Sequence, residues 1–527
     1  SNTLFGKNTG DGIASGGTYN VCIGEEAGGA LSTGVNNVAV GYNSLYRATT
    51  ESDDNVVIGY NAMSGNFTTA VVIDVVAIGS GALAGTLTAD ATGTTVVGTA
   101  AGAAITSGQK NTGVGFGALT AETDGDFSVA VGYNALAAST GGAGTMGSTA
   151  VGYSAGSAIT SGAGNTLIGY LAGDALDTMT HNTAVGYGAL GGSSAVDNTV
   201  VIGSGAGAGA MTAAADNTVL IGYRAGAAIT SGASNIAIGP NCMLVHTTGD
   251  NNIAIGENAM NNNDAGSTSL GSNNNIFMGI NSGAGAWTDA VVSHNVGIGH
   301  LTLSGAMDNA IRNVAVGYNS FVGVTTGDNN VGVGTSAGAS CVGGGLNVCI
   351  GSSADVNAAG VSNAVAIGYG AVSIEDEITL GRGDSHIYTQ NDNASWTASS
   401  DERKKKNIQD VSLGLDFVND LRTVTFQYRP AEERPEEWGH FHYDKDEDGN
   451  DIGEKLYSKT DTETVHHGMI AQEVKAALDT AGVNGENFEG WKAGKNGEQG
   501  IAPSAFVYPL IKAVQELSAK VTALEDA

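Results

Sequence analysis

The sequence predicts a mainly β protein: a repetitive, fibrous parallel β-solenoid or β-roll shaft, then a small α+β domain ending in a coiled-coil helix. Three observations predict it. A glycine-marked unit with a base period of 17 recurs in 21 copies within residues 1–372. The chain turns charge-rich after residue 399, where helical periodicity first appears. Leu510, Val514, Leu517, Val521 and Leu524 then close it in 4-3-4-3 spacing, the seam of a short coiled coil.

Composition narrows the classes first. Of 527 residues, 82 are Gly and 5 are Pro, and 14% are charged. Average proteins carry about 7% Gly and about 25% charged residues. With 42% apolar residues the chain is too hydrophobic for ordinary disorder, and its glycines lack the G-X-Y period of collagen. The net charge of −31 divides into −21 for residues 1–399 (6 Lys+Arg against 27 Asp+Glu) and −10 for residues 400–527 (15 against 25). So acidic a surface argues against nucleic acid as a partner. No run of 18 apolar residues exists, so no membrane insertion is expected. Residue 1 is Ser with no signal peptide before it, which suggests a chain that begins inside a longer or processed protein. Cys22, Cys242, Cys341 and Cys349 lack metal-ligand spacing and read as small core residues. No cofactor is expected.

The shaft unit reads Asn-x-apolar-x-Val/Ile-Gly-Tyr-x-Ala/Ser-Leu/Gly, as in Asn37-Val38-Ala39-Val40-Gly41-Tyr42-Asn43-Ser44-Leu45. Its marker glycines run from Gly6 to Gly368 at intervals of 17 to 23, a fixed rung plus a tolerant loop. Val and Ile alternate before the glycine, the period of a strand, and the glycine breaks it. Asn precedes the glycine by four residues in fourteen units, from Asn2 to Asn347, so stacked rungs would align these amides in a ladder that fixes register. At ~4.8 Å per rung the shaft would be on the order of 100 Å long. Rungs so thin have little interior of their own, which argues for oligomerisation.

The repeat resembles the head repeats of trimeric autotransporter adhesins and, more closely, the Asn-Thr-Ala-Val-Gly-Tyr-x-Ala-Leu repeats of phage tail fibres. Asn182-Thr183-Ala184-Val185-Gly186-Tyr187-Gly188-Ala189-Leu190 fits the latter at every position. The resemblance implies a solenoid that is homotrimeric about its long axis.

Several weaker signals have bland readings that we prefer. The tyrosines after the glycine (Tyr42, Tyr133, Tyr170 and others) could form a sugar-binding stripe, but packing between rungs explains them. Arg382-Gly383-Asp384 matches an integrin tripeptide of a kind that arises by chance. Thr does not hold one phase, as an ice-binding face would need. A glycan-cutting site would need paired carboxylates in a carbohydrate groove, and the shaft's acidic residues fall mainly in variable loops. Asp444, Asp446 and Asp448 have the spacing of a calcium loop, but Lys455 stands where a bidentate Glu belongs, so a hairpin tip is the simpler reading.

After a junction over 373–399, residues 400–527 form the second domain. Leu413–Leu421 reads as a short helix, Thr423–Tyr428 as a strand and Met469–Val474 as the opening of a helix. Five blocks resemble the C-terminal intramolecular chaperone of endosialidase-type phage tail spikes. They are Ser400-Asp401-Glu402-Arg403-x-Lys405-x-x-Ile408, Gly414-Leu415-Asp416-Phe417, Phe426-x-Tyr428, His467-Gly468-Met469-Ile470-Ala471-Gln472-Glu473-Val474 and Leu510–Leu517. Lys404 stands where the family usually has Leu, and Trp438–Asp461 looks like an insertion.

This resemblance implies that three copies align the strands, assist folding and then cut themselves off between Ser399 and Ser400. Ser400 would be the nucleophile and Lys405 its base, with Asp401, Arg403, His467, Gln472 and Glu473 supporting the motif. A lysine ordinarily titrates near ~10.4, so one that works as a base at neutral pH needs burial or neighbouring cations such as Lys404 and Lys406. The implied setting is the distal part of a virion tail fibre, made in the host cytoplasm. Its partners would be virion tail proteins and a host cell-surface receptor, a glycan or an outer-surface protein. A bacterial surface adhesin and a polysaccharide-degrading spike are the alternatives. An array of identical rungs can slip by one repeat, and a clamp at one end would set the register before zipping begins.

Overall fold

The computed structural model describes the chain outside residues 49–50, 68–70, 89–90, 142–146, 263–270, 288–290, 384, 391–396, 399–404, 436–440, 446–450, 458–461, 495–496 and 527. It divides into two compact units, Ser1–Ser399 and Ser400–Ala527.

The first unit is mainly a parallel solenoid. Among the described residues, 21 strands of three residues, from Thr3–Phe5 to Val365–Ile367, stack in register, one per marker glycine. The period of two decides which side chains go inside. In Val38–Val40 the middle residue, Ala39, is buried and both valines are half-buried on the outer face. The interior is filled largely from the turn after the glycine, as by the buried Leu45 and Ile105. The marker glycines stand so close that no other residue fits. Gly169 has φ +141°, and a Cβ there would lie 2.3 Å from the carbonyl oxygen of Gly186.

The expected asparagine ladder is the inner spine. The Asn20 side-chain oxygen accepts the Asn37 backbone N–H at 2.9 Å, and its amide donates to the Gly34 carbonyl at 2.8 Å. Direct amide contacts link Asn235, Asn252, Asn275, Asn295, Asn313 and Asn330 in turn, at 3.0–3.2 Å. These amides are buried, and such pairing is what makes burial of a polar group tolerable. Thr94, Ser148 and Thr218 interrupt the spine, their hydroxyls reaching the next rung's carbonyls only at 3.3–3.4 Å.

A second column went unread in the sequence. Asp53, Asp126, Asp250 and Asp328 each accept a backbone N–H from the preceding rung, at Val35, Gln109, Ala233 and Ile311. These acids share one phase of the repeat and tie rungs together, where loop decoration was expected. All four cysteines are buried in the core; burial pushes the Cys22 thiol up to about 11 and the Cys242 thiol up to about 12.

The solenoid ends by changing direction. Strand β1 (Glu377–Arg382) stacks in parallel on Val365–Ile367. Strand β2 (Ser385–Gln390) folds back antiparallel on β1, and β3 (Thr397–Ala398) pairs antiparallel with β2.

In the second unit the helices are α1 (Leu415–Asn419), α2 (Ala471–Thr480) and α3 (Val507–Glu525). Strand β4 (Val424–Phe426) pairs with β7 (His466–Gly468). Strands β5 (Phe441–Lys445) and β6 (Asp451–Tyr457) form a hairpin, as do β8 (Trp491–Ala493) and β9 (Gln499–Ile501). Leu413, Phe417, Val474, Leu478, Trp491 and Phe506 make its core. Among the described residues no helix is long and apolar enough to cross a membrane.

Candidate functional site

The described part of the predicted site lies on β7, α2 and the segments packed on them. Ser399, Ser400, Asp401 and Arg403 fall outside the described residues. Lys405 is described and exposed, so the described residues of its own chain do not supply the burial expected of it.

The block from His467 to Val474 turns from strand to helix. His467 sits opposite Thr425 on the β4–β7 ladder and is exposed. Its neighbour His466 packs against the rings of Phe426 and Tyr428, at 5.6 and 5.0 Å, which accounts for the aromatic pair at the end of β4 and just beyond it, where the strand was expected to run on to Tyr428. Gln472 is exposed at the start of α2, while Val474 turns into the core.

Glu473 has a specific partner that the sequence did not reveal. The Arg422 guanidinium grips its carboxylate with both arms; the Nε–Oε2 bond is 2.9 Å and the second runs from Nη2 to Oε1. This bond, with the charge behind it, holds the Glu473 carboxyl below the usual carboxylate range. Both side chains stay largely exposed, so the pair contributes geometry more than energy. It ties the α1–β4 connection to the first turn of α2.

A second unforeseen contact explains the Gly414-Leu415 block. The Glu516 carboxylate of α3 accepts the Leu415 N–H at the start of α1, at 2.8 Å. A Cβ at residue 414 would lie 2.4 Å from that carboxylate, so a side chain there would have to displace the end of Glu516 and its bond to Leu415.

Beside these groups lies an open apolar groove of about 650 Å³, lined by Val418, Leu421, Val424, Met469, Phe506 and Leu510, with His467 also on its wall. Leu510 also begins the predicted seam, and Val514, Leu517, Val521 and Leu524 follow it exposed along α3. In register the seam has Val at 507, 514 and 521 and Leu at 510, 517 and 524.

Of the calcium candidates, Asp446 and Asp448 lie outside the described residues, and Asp444 stands on β5 opposite Ile452 of the hairpin. Among the described residues no group of three or more His, Cys, Asp or Glu could hold a metal. In the shaft, Phe116, Tyr133, Tyr153, Tyr170 and Tyr187 stack rung upon rung at 5.0–5.2 Å. Their faces meet one another, leaving edges and hydroxyls to solvent.

In comparison with known families, residues 400–483 match the family described as chaperone of endosialidase. Searches of curated proteins and of solved structures find no match.

Proposed function

We propose, with an endosialidase-type chaperone domain at residues 400–483 and a 21-rung solenoid before it as premises, that the chain is the distal part of a phage tail fibre or spike. It assembles as a homotrimer, binds a host surface receptor through its shaft and releases its chaperone by one self-cleavage. The observation that carries this reading is where the family match begins. It starts at residue 400, where the chain passes from the shaft unit to the second unit. A surface adhesin would share the repeats but not that domain.

The trimer has physical support in the outer sheet face. Ile58, Val114, Val151, Ile168, Ile202 and Ile298 are each 36–41% exposed and lie at one phase of the repeat. A contiguous apolar strip of that kind marks an association surface.

In the cut, the Ser400 hydroxyl adds to the Ser399 carbonyl carbon as neutral Lys405 takes its proton. The C–N bond breaks, the Ser400 nitrogen receives that proton, and an ester joins the two parts. Water hydrolyses the ester to a Ser399 carboxyl group and the Ser400 hydroxyl.

Mass spectrometry of the full-length protein tests this. Fragments of residues 1–399 and 400–527 are expected. Ser400→Ala and Lys405→Ala should each leave a folded, uncut chain, and Lys404→Ala should still be cut. A wild-type chain that stays whole, or Ser400→Ala protein that is cut, overturns the dyad.

A further inference from the structure

We propose that the shaft carries a one-sugar site at Ser204, a notch in its aromatic column where a neutral, all-equatorial pyranose is held between Tyr187 and Tyr223. This names a ligand class for the receptor reading above and rests on that reading for its biological setting. The residue after each marker glycine belongs to one column along the shaft. From Phe116 to Tyr187 the column is closed, each ring lying on the next at 5.0–5.2 Å with interplanar angles of 4–13°. On the following rung Ser204 stands in the ring's place, and Tyr223 resumes the column one rung later. Tyr187 is 63% exposed against 44% for Tyr170, which has a ring on both sides, so one face of Tyr187 is open. Tyr223 and Ser204 are exposed as well. Small residues keep the approach clear: a Cβ at Gly188 would have nothing within 4 Å, and one at Gly205 would meet only the Arg224 stem, at 3.6 Å. The other interruptions between rings are wider, as where both Thr335 and Ser352 separate Tyr318 from Tyr369.

Neighbouring strands stand about 4.8 Å apart, so two steps separate the Tyr187 and Tyr223 positions by about 9.6 Å. One ring entering over Ser204 would lie about 4.8 Å from each, close to the spacing that the column itself keeps. A pyranose whose substituents are all equatorial suits such a slot, because axial C–H bonds cover both of its faces. Those hydrogens meet the negative face of an aromatic ring on either side. An axial hydroxyl, as on the fourth carbon of galactose, would instead press a polar group against one ring with no partner. Equatorial hydroxyls point around the rim, where Ser204 offers a hydroxyl and Arg224 a guanidinium. Acidic sugars are turned away by the charge of residues 1–399, where 6 Lys+Arg against 27 Asp+Glu give −21. A ligand of this size, gripped by two rings and few polar groups, binds with a Kd of about 1 mM.

The experiment titrates the full-length protein with methyl β-D-glucopyranoside and methyl β-D-galactopyranoside, read by saturation-transfer NMR, with circular dichroism as the check of folding. The glucoside should bind, and the galactoside should bind ~3–10-fold more weakly. Ser204→Tyr puts a ring of the chain's own into the slot and should abolish binding. Tyr223→Ala leaves a single wall and should weaken binding ~3–10-fold, and it decides the matter where the Ser204→Tyr chain fails to fold. Wild-type protein that binds no glucoside, or a folded variant that binds it as wild type does, overturns the site. Equal binding of the two sugars overturns the two-sided clasp. Retention of the wild-type protein on a panel of bacterial cells is scored separately. Protein that binds cells but no glucoside overturns the site and leaves the receptor reading standing, whereas glucoside binding lost with Ser204→Tyr, in protein that no cell retains, supports the site and counts against that reading.

Discussion

Ile159 occupies the space that Gly156 leaves empty. Gly156 has φ +59°, and a Cβ there would meet the Leu167 Cδ1 at 2.7 Å, the Leu136 Cδ2 at 3.0 Å and the Ile159 Cδ1 at 3.1 Å. One rung earlier the arrangement is exchanged: Leu136, at φ 49°, fills the corner, and the small Ser139 takes the place of Ile159. Gly28 with Leu31 and Gly226 with Ile229 follow the first form, and Leu45 with Ala48 follows the second. Two positions three residues apart thus share one volume. Gly156→Leu alone should destabilise the shaft by ~1–3 kcal/mol through overpacking. Adding Ile159→Ser should recover part of that loss, with Leu167 and Leu136 still crowding the site, a coupling that a double-mutant cycle from reversible unfolding would measure. Additive losses would refute the shared corner.

The interrupted spine gives a prediction of the opposite sign. The Ser148 hydroxyl reaches the Gly162 carbonyl at 3.3 Å and accepts the Asn165 N–H at 3.2 Å, poor versions of the bonds an asparagine makes. Ser148→Asn should raise stability by ~0.5–1.5 kcal/mol, and Asn313→Ala should lower it by ~1–3 kcal/mol. Unfolding midpoints in denaturant read both.

Arg422 and Glu473 give the second unit a pH signature. The folded carboxyl titrates below its unfolded value, so the stabilisation is present above the unfolded pKa, near ~4.3, and is lost as pH falls through the lower, folded value. Wild-type protein and Arg422→Ala should therefore differ in stability at neutral pH and converge under acid. Thermal melts of the second unit's transition from pH 7 to pH 3 would show it, and a constant gap would count against the pair.

The outer apolar strip predicts where charge is forbidden. Ile168→Lys together with Ile202→Lys should stop assembly, because both side chains stand on that face. Exposed Tyr187→Lys should be better tolerated. Sedimentation of the three proteins at equal concentration decides between this face and another.

How much of this was legible can be argued from single residues. Gly169 and Asn252 were readable because each acts on its copy in the next rung, and a repeat writes such contacts at a fixed period. Ala39 was not readable as an inward residue. Alternation shows that Val38 and Val40 face one way and Ala39 the other, but size suggests that the valines go inside. They face outward because the corner leucines already fill the interior. Glu473 was picked out from a sequence block, yet its partner Arg422 is 51 residues away, and Glu516 caps Leu415 across 101 residues. No local pattern encodes contacts made by single tertiary pairs at such separations.

The aromatic column from Phe116 to Tyr187 covers the stretch in which Ser128 and Ser148 replace asparagine in the spine. Under axial tension a stack of rungs is loaded in series, and it parts at whichever junction yields first. Where the inner fastening thins, a second fastening runs along the outside, at a different radius from the axis. A shaft held at one end and pulled at the other therefore meets this second fastening between Phe116 and Tyr187, and bending there must separate ring faces as well as strands.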